Sequence, residues 1–221
     1  MQQIFIYSDS VSWGIIPNTR ERFEFDKRWT GIFENDLNAK GFDIRVIEDC
    51  LNGRRTAWED PRKASRNGLV GISAKIETFS PLSLIIILLG TNDFQAIHNA
   101  TSKHSALGLA TLITKIKNSP IEPTLSIPEI LVIAPPLVLA PAGDLAKKFH
   151  GAKRKCKDLA VELESVAVEE GCYFFDSNTI TSASKIDGVH LDEDQHEILG
   201  LEISKIVENI FNTQQNKTQE V

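Results

Sequence analysis

The chain has 221 residues, with 24 Lys and Arg against 30 Asp and Glu, for a net charge of −6. That length suits one domain, or one with a small cap, at roughly 100–200 residues per domain, and the acidic balance excludes a strongly basic nucleic-acid binder. Apolar residues at 42% and charged residues at 24% give a globular composition and exclude global disorder.

The first residues run directly into an apolar stretch at 4–7, with no basic segment and no cleavage site, so no secretory signal is expected. That stretch reads as a first strand, followed by Ser8-Asp9-Ser10-Val11-Ser12-Trp13-Gly14. Trp29, Ile32, Phe33 and Leu37 recur at helical spacing and predict a helix over 29–37. A second strand at 44–47 precedes Asn52-Gly53, and Leu69, Ile72, Ile76 and Phe79 predict a helix over 69–79. Residues 84–89 are continuously apolar, as in a strand covered on both faces. Gly90-Thr91-Asn92-Asp93 follows it. The longest apolar stretch, 82–89, falls far short of the ~20 residues that span a bilayer. A helix is expected over 106–116, a proline-marked loop after it, and a fourth strand over 130–134 that Pro135-Pro136 stops. An apolar loop over 137–143, a helix over 153–168, a strand over 173–175 and a helix over 198–211 complete the pattern.

Five strands alternating with helices predict an α/β fold, a three-layer α/β/α domain over residues 1–211 with a five-stranded parallel sheet and right-handed crossovers. Residues 212–221 are polar and aperiodic, which predicts a disordered tail. Three cysteines, Cys50, Cys156 and Cys172, lack CxxC spacing and read as free thiols in a reducing, cytoplasmic compartment.

In parallel sheets, ligands sit beyond the carboxyl ends of the strands. The residues there are Ser8-Asp9-Ser10, Asn52-Gly53, Gly90-Thr91-Asn92-Asp93, Pro135-Pro136 and Asp176, and Asp187-Gly188-Val189-His190 precedes the last helix. Each motif alone reads equally as a turn or a helix cap. Their order does not. Serine after strand one, glycine after strand two, asparagine after strand three and Asp-x-x-His before the last helix resemble the SGNH, or GDSL-type, hydrolase superfamily. Ser10-Val-Ser-Trp-Gly and Arg28-Trp29-Thr30-Gly31 are most similar to its arylesterase/acyltransferase branch.

The resemblance implies the flavodoxin-like SGNH fold and a serine esterase, with acyl transfer and O-deacetylation open to the same machinery; short acyl chains are expected because the sequence shows no long lipid tunnel or large amphipathic lid. It makes Ser10 the nucleophile, His190 its base and Asp187 the acid that orients the base. The oxyanion donors it implies are the backbone N–H groups of Ser10 and Gly53 and the side-chain amide of Asn92. The chemistry of the residue types agrees, because a serine hydroxyl needs a base and an oxyanion needs preorganised donors. Asp176, ending strand five, is the other candidate acid. Asp9 and Asp93 read as loop anchors.

Two positions depart from the family pattern. Ser8 stands where the first block usually begins with glycine, and Cys50 stands where the second often has a small residue. Ser8 motivates an alternative, a non-catalytic small-molecule-binding module that kept the fold. Trp13, Phe94 and Val189 are the expected walls of a modest apolar pocket. His98, His104, His150 and His196 lack metal-ligand spacing and read as surface or loop residues, with His150 a candidate for the pocket entrance. Lys147-Lys148 and Lys153-Arg154-Lys155 read as a solvated helix face, while Arg54 or Arg55 is a candidate substrate contact. No cofactor, metal, nucleic acid or membrane is expected. The expected partner is a small-molecule ester, and because related esterases assemble, a homo-oligomer is admitted.

Overall fold

The structure, a computed structural model, describes residues 1–219. Five strands form one sheet: β1 (Gln2–Ser8), β2 (Ile44–Cys50), β3 (Leu84–Leu88), β4 (Glu129–Ala134) and β5 (Tyr173–Asp176). All neighbours are parallel, in the order β2-β1-β3-β4-β5. The helices are α1 (Ser10–Trp13), α2 (Trp29–Ala39), α3 (Ile72–Phe79), α4 (Ser102–Lys117), α5 (Asp144–Lys148), α6 (Ala152–Lys155), α7 (Leu159–Glu169) and α8 (Glu193–Gln219). This is the predicted three-layer α/β architecture.

The central strand explains its own sequence. Side chains alternate across a strand, so Leu84, Ile86 and Leu88 enter the layer beneath α2 and α8, while Ile85 and Ile87 enter the layer beneath α3, α4 and α7. Both layers are dry, and all five residues are fully buried. Each such side chain contributes about 1.5–3 kcal/mol on burial, which favours a continuous apolar run over alternation. β1 divides the same way, Ile4 and Ile6 to one side and Phe5 and Tyr7 to the other. α2 and α8 approach closely because Gly200 has no side chain. A Cβ there would lie 2.8 Å from Ile32 Cβ and from the Trp29 carbonyl oxygen.

Three helix boundaries differ from expectation. α3 starts at Ile72, because Gly71 adopts a left-handed φ of 74° that breaks the helix before it. The expected helix over 153–168 splits into α6 and α7 at a turn that brings Cys156 and Leu159 into the same inner layer. α8 starts at Glu193, with Glu193 and Asp194 in its first turn, where carboxylates complement the helix dipole. It continues past Phe211 to Gln219, so residues 212–219 of the expected tail are helical and 220–221 lie outside the described residues. Among the described residues, no helix is long and apolar enough to cross a membrane.

Candidate active site

The site forms where the chain leaves β1. Asp9 caps α1, its Oδ1 accepting from the Val11 N–H at 2.9 Å, and this places Ser10 on the first turn of a one-turn helix. Ser10 Oγ lies 3.1 Å from His190 Nε2. On the far side of the ring, His190 Nδ1 lies 2.7 Å from Asp187 Oδ2. Asp187 Oδ1 accepts from the N–H groups of Val189 and His190, at 2.8 and 2.9 Å. Burial opposes the Asp187 charge, but the hydrogen bond and positive charge of His190 and these two N–H groups outweigh it and hold the carboxyl below its usual range. An ionised carboxylate only accepts, so Nδ1 carries the ring proton and Nε2 is left to accept from Ser10.

The Asp187 turn is clamped from outside. The N–H of Leu139 donates to the Gly188 carbonyl at 2.9 Å, and that of Ala142 to the Asp187 carbonyl at 3.1 Å. A Cβ on Gly188, at φ 77°, would sit 2.5 Å from the Ala140 carbonyl oxygen. The apolar loop over 137–143 thus braces the acid and base rather than lying free.

Asn92 is pinned on both sides. Its Nδ2 donates to Asp9 Oδ2 at 2.8 Å and its Oδ1 accepts from Gln95 Nε2 at 2.9 Å, leaving one Nδ2 hydrogen uncommitted. Gly53 lines the same cleft as Ser10, Asn92 and His190. Its glycine is required by a φ of 87° rather than by crowding, since a Cβ would meet nothing nearer than Arg66, at 3.5 Å. Neither the Ser10 nor the Gly53 backbone N–H donates to another group among the described residues.

Several side chains singled out in the sequence are structural. Ser8, in place of glycine, donates to the Leu88 carbonyl at 2.7 Å and bonds Ser12 Oγ at 2.6 Å, and Ser12 in turn accepts from Trp29 Nε1. Asp93 is fully buried, bonding Arg55 Nε at 3.1 Å, Thr56 Oγ1 at 2.8 Å and Ser105 Oγ at 2.7 Å. Arg54 is buried against Asp49 and the Ser8 carbonyl, its guanidinium 3.9 Å from the Tyr7 ring centre. The expectation that Arg54 or Arg55 faces substrate is therefore corrected: Arg54 ties the β2–α3 loop to β1, and Arg55 ties it to Asp93 after β3. Asp176 is spent on the N–H and amide of Asn178. Burial pushes the Cys50 thiol well above its usual range, so it is a packing residue.

Two histidines read as surface residues are buried instead. His196 is fully buried and accepts from the Trp29 N–H at 3.3 Å, and burial lowers its pKa to about 3. The His98 side chain is 3% exposed, 3.6 Å from Asp60, and burial lowers its pKa to about 4. Neither carries a sequence signal beyond helix or loop position, because their burial comes from distant segments. His104 lies against the Trp58 ring, and His150 lines the cleft.

That cleft has a volume of about 890 Å³, with Ser10 and His190 on its lining. The apolar pocket expected from Trp13, Phe94 and Val189 is corrected. Phe94 and Val189 are buried in the inner layer, and Trp13 packs on the opposite layer beneath the Arg22 guanidinium. Closeness in sequence to a site residue does not set side-chain direction in these helical turns and loops, and all three side chains pack into the apolar layers. The cleft is instead lined by charged and polar residues interleaved with Ile15, Ile97, Leu145 and Phe149. Among the described residues, no group of His, Cys, Asp and Glu could hold a metal ion.

Asp9 is a fully buried carboxyl of this site. Burial raises its pKa to about 6, against the hydrogen bonds from Val11 and Asn92 and the His190 charge. Between pH 4 and 6 the folded state keeps a proton that the unfolded state has released, so stability falls as pH rises through that window and then levels. Asp9→Asn removes this linkage. Its stability relative to wild type, from urea melts, is expected to improve by on the order of 3 kcal/mol between pH 4 and 7. A difference that stays flat with pH would show that Asp9 titrates normally.

The architecture has solved counterparts. An aryl esterase from M. smegmatis superposes with a TM-score of 0.88 at 33% identity, covering 95% of this chain and 99% of that one. A carbohydrate acetylesterase from Sinorhizobium meliloti gives 0.88 at 29% identity, with 95% and 100% covered. A lipase/acylhydrolase from Enterococcus faecalis, at 18% identity and a TM-score of 0.68, shares the fold. No curated protein matched the sequence. The family model for GDSL-like lipases and acylhydrolases matches residues 9–198, a span that runs from the cap of α1 through the Asp187–His190 turn into α8. The chain belongs to the GDSL-like lipase/acylhydrolase family and is a carboxylic ester hydrolase of the SGNH type.

Proposed function

We propose that the chain cleaves esters of short acyl groups through an acyl-enzyme on Ser10. The observation that carries this reading is the continuous hydrogen-bond chain Ser10–His190–Asp187 at a solvent-reaching cleft. Ser10 Oγ attacks the ester carbonyl as His190 Nε2 takes its proton, and Asp187 stabilises the imidazolium. The N–H groups of Ser10 and Gly53 and the free Nδ2 hydrogen of Asn92 receive the oxyanion. His190 then gives its proton to the departing alcohol, and water, deprotonated by the same nitrogen, releases the acid.

Short acyl groups are favoured because Phe94 and Val189, neighbours of Asn92 and His190 in the chain, are packed in the core and do not line the cleft. The relatives acting as an aryl esterase and a carbohydrate acetylesterase support the same range. A wide cleft open to solvent supports hydrolysis over acyl transfer, which needs water kept out. The rival reading, a binding module, loses its motive, since the Ser8 hydroxyl is accommodated by two buried hydrogen bonds. Three free thiols, two of them buried, support a reducing compartment such as the cytoplasm.

The test is turnover of 4-nitrophenyl acetate, butyrate and octanoate, with fluorophosphonate labelling alongside. The expected result is stoichiometric labelling and a kcat/KM that falls by roughly tenfold or more from butyrate to octanoate, on the scale of lost pocket contacts. No turnover and no labelling would overturn the reading.

A further inference from the structure

Six cations from three separate segments line the cleft with Ser10. Arg20 comes from the loop after α1, Arg62, Lys63 and Arg66 from the β2–α3 loop, and Lys147 and Lys148 from α5. The last two are exposed on α5, as expected, and also line the cleft. Only Asp60 and Asp144 on that lining are acidic, in a chain whose net charge is −6. Two acids against six cations leave the wall positive, and neither acid forms an ion pair with Lys63, Arg66 or Lys148. Asp60 Oδ1 accepts from the backbone N–H groups of Arg62 and Lys63, at 2.8 and 3.1 Å, and its Oδ2 faces His98. Asp144 is 94% exposed and pairs with Arg20 at 3.8 Å. Arg62, Lys63, Arg66, Lys147 and Lys148 form no ion pair among the described residues.

The cations are also placed for the chemistry. Arg66 is tied to its own loop by bonds to the Asn52 and Ala64 carbonyls, both at 2.9 Å, which holds its side chain beside Gly53. Burial, then Arg66 and Arg20, lower the Lys63 pKa against the charge of Asp60, and burial, then Lys63, lower that of Lys148 against the charges of Asp9 and Asp60. Like charges gathered in excess of their counter-ions cost stability and are compensated when an anion binds between them.

We propose that the ester this cleft takes carries an anionic group, held by Lys63, Arg66 and Lys148 while Ser10 attacks its carbonyl. The proposal rests on the esterase reading above and adds the substrate class.

Matched pairs of esters test it. 4-Acetoxybenzoate against 4-acetoxybenzamide puts the charge in the alcohol half, and mono-4-nitrophenyl glutarate against 4-nitrophenyl valerate puts it in the acyl half. In at least one pair the anion is expected to exceed its neutral partner in kcat/KM by roughly tenfold to hundredfold at low salt, mostly through KM. That ratio should collapse in 1 M salt, where the Debye length is about 3 Å, and in the Lys63→Gln/Lys148→Gln variant. Each readout is a ratio on one protein sample, so partial misfolding does not imitate it. Neutral esters turned over as well as anionic ones would overturn the proposal and leave the esterase standing. If no ester is turned over, the esterase reading fails. Calorimetric binding of 4-hydroxybenzoate against 4-hydroxybenzamide then decides the cleft alone: a salt-sensitive preference for the anion supports it, and equal binding overturns it.

Discussion

Ser10→Ala is expected to lower kcat on 4-nitrophenyl acetate by on the order of 10⁴–10⁶-fold and to abolish fluorophosphonate labelling. The size follows from what remains. His190 keeps its base and the oxyanion donors stay in place, but no nucleophile replaces Oγ. The neighbouring hydroxyls cannot substitute. Ser8 and Ser12 are fully buried and bonded to each other, to the Leu88 carbonyl and to Trp29. The fold should be indifferent, because Ser10 Oγ has His190 as its hydrogen-bond partner and no structural one. A melting temperature within about 2 °C of wild type, alongside the lost activity, would separate chemistry from unfolding. Retained turnover in the alanine variant would remove Ser10 from the mechanism.

Asp187→Asn is expected to cost about 10⁴-fold in kcat, through the tautomer of His190. The asparagine oxygen must keep accepting from the Val189 and His190 N–H groups, since the turn depends on them. That leaves the amide NH₂ facing Nδ1. The ring must then accept at Nδ1 and carry its proton at Nε2, where it no longer accepts from Ser10. A pH effect accompanies this. The Asp187 pKa is lowered in the folded state, so its carboxylate adds stability above the usual carboxylate range, and that is lost as pH falls through the folded value. The stability deficit of the asparagine variant should therefore be largest near pH 7 and close on acidification below about pH 4. A kcat within tenfold of wild type would point to another acid. Asp176, the alternative in the sequence, already serves Asn178.

The order of strands and helices was legible because burial leaves a periodic trace. A strand covered on both faces must be apolar throughout, and 84–89 is, while α2 and α4 show their inner faces at helical spacing. The motif residues were legible because Ser10, Gly53 and Asn92 follow strands and Asp187 and His190 precede the last helix. Boundaries were less so: a single left-handed glycine at 71 shortened α3, and the turn at Cys156 divided α6 from α7.

The tertiary structure decided the fate of charge and of polar burial, which depends on partners far away in the chain. Arg54 and Arg55 look like free cations beside Gly53, yet Asp49 and Asp93 consume them. His98 and His196 look like loop and surface residues, yet Asp60 and the α2 start enclose them. Lys63, Arg66 and Lys148, dispersed in sequence, meet in one cleft. By itself the sequence determined which side chains must avoid water and which residue types stand in the family's motif positions, because hydrophobic period and residue type are local properties. Only the folded chain could decide which charges are neutralised and which remain open to a ligand, because a charge is defined by what lies within a few ångströms of it.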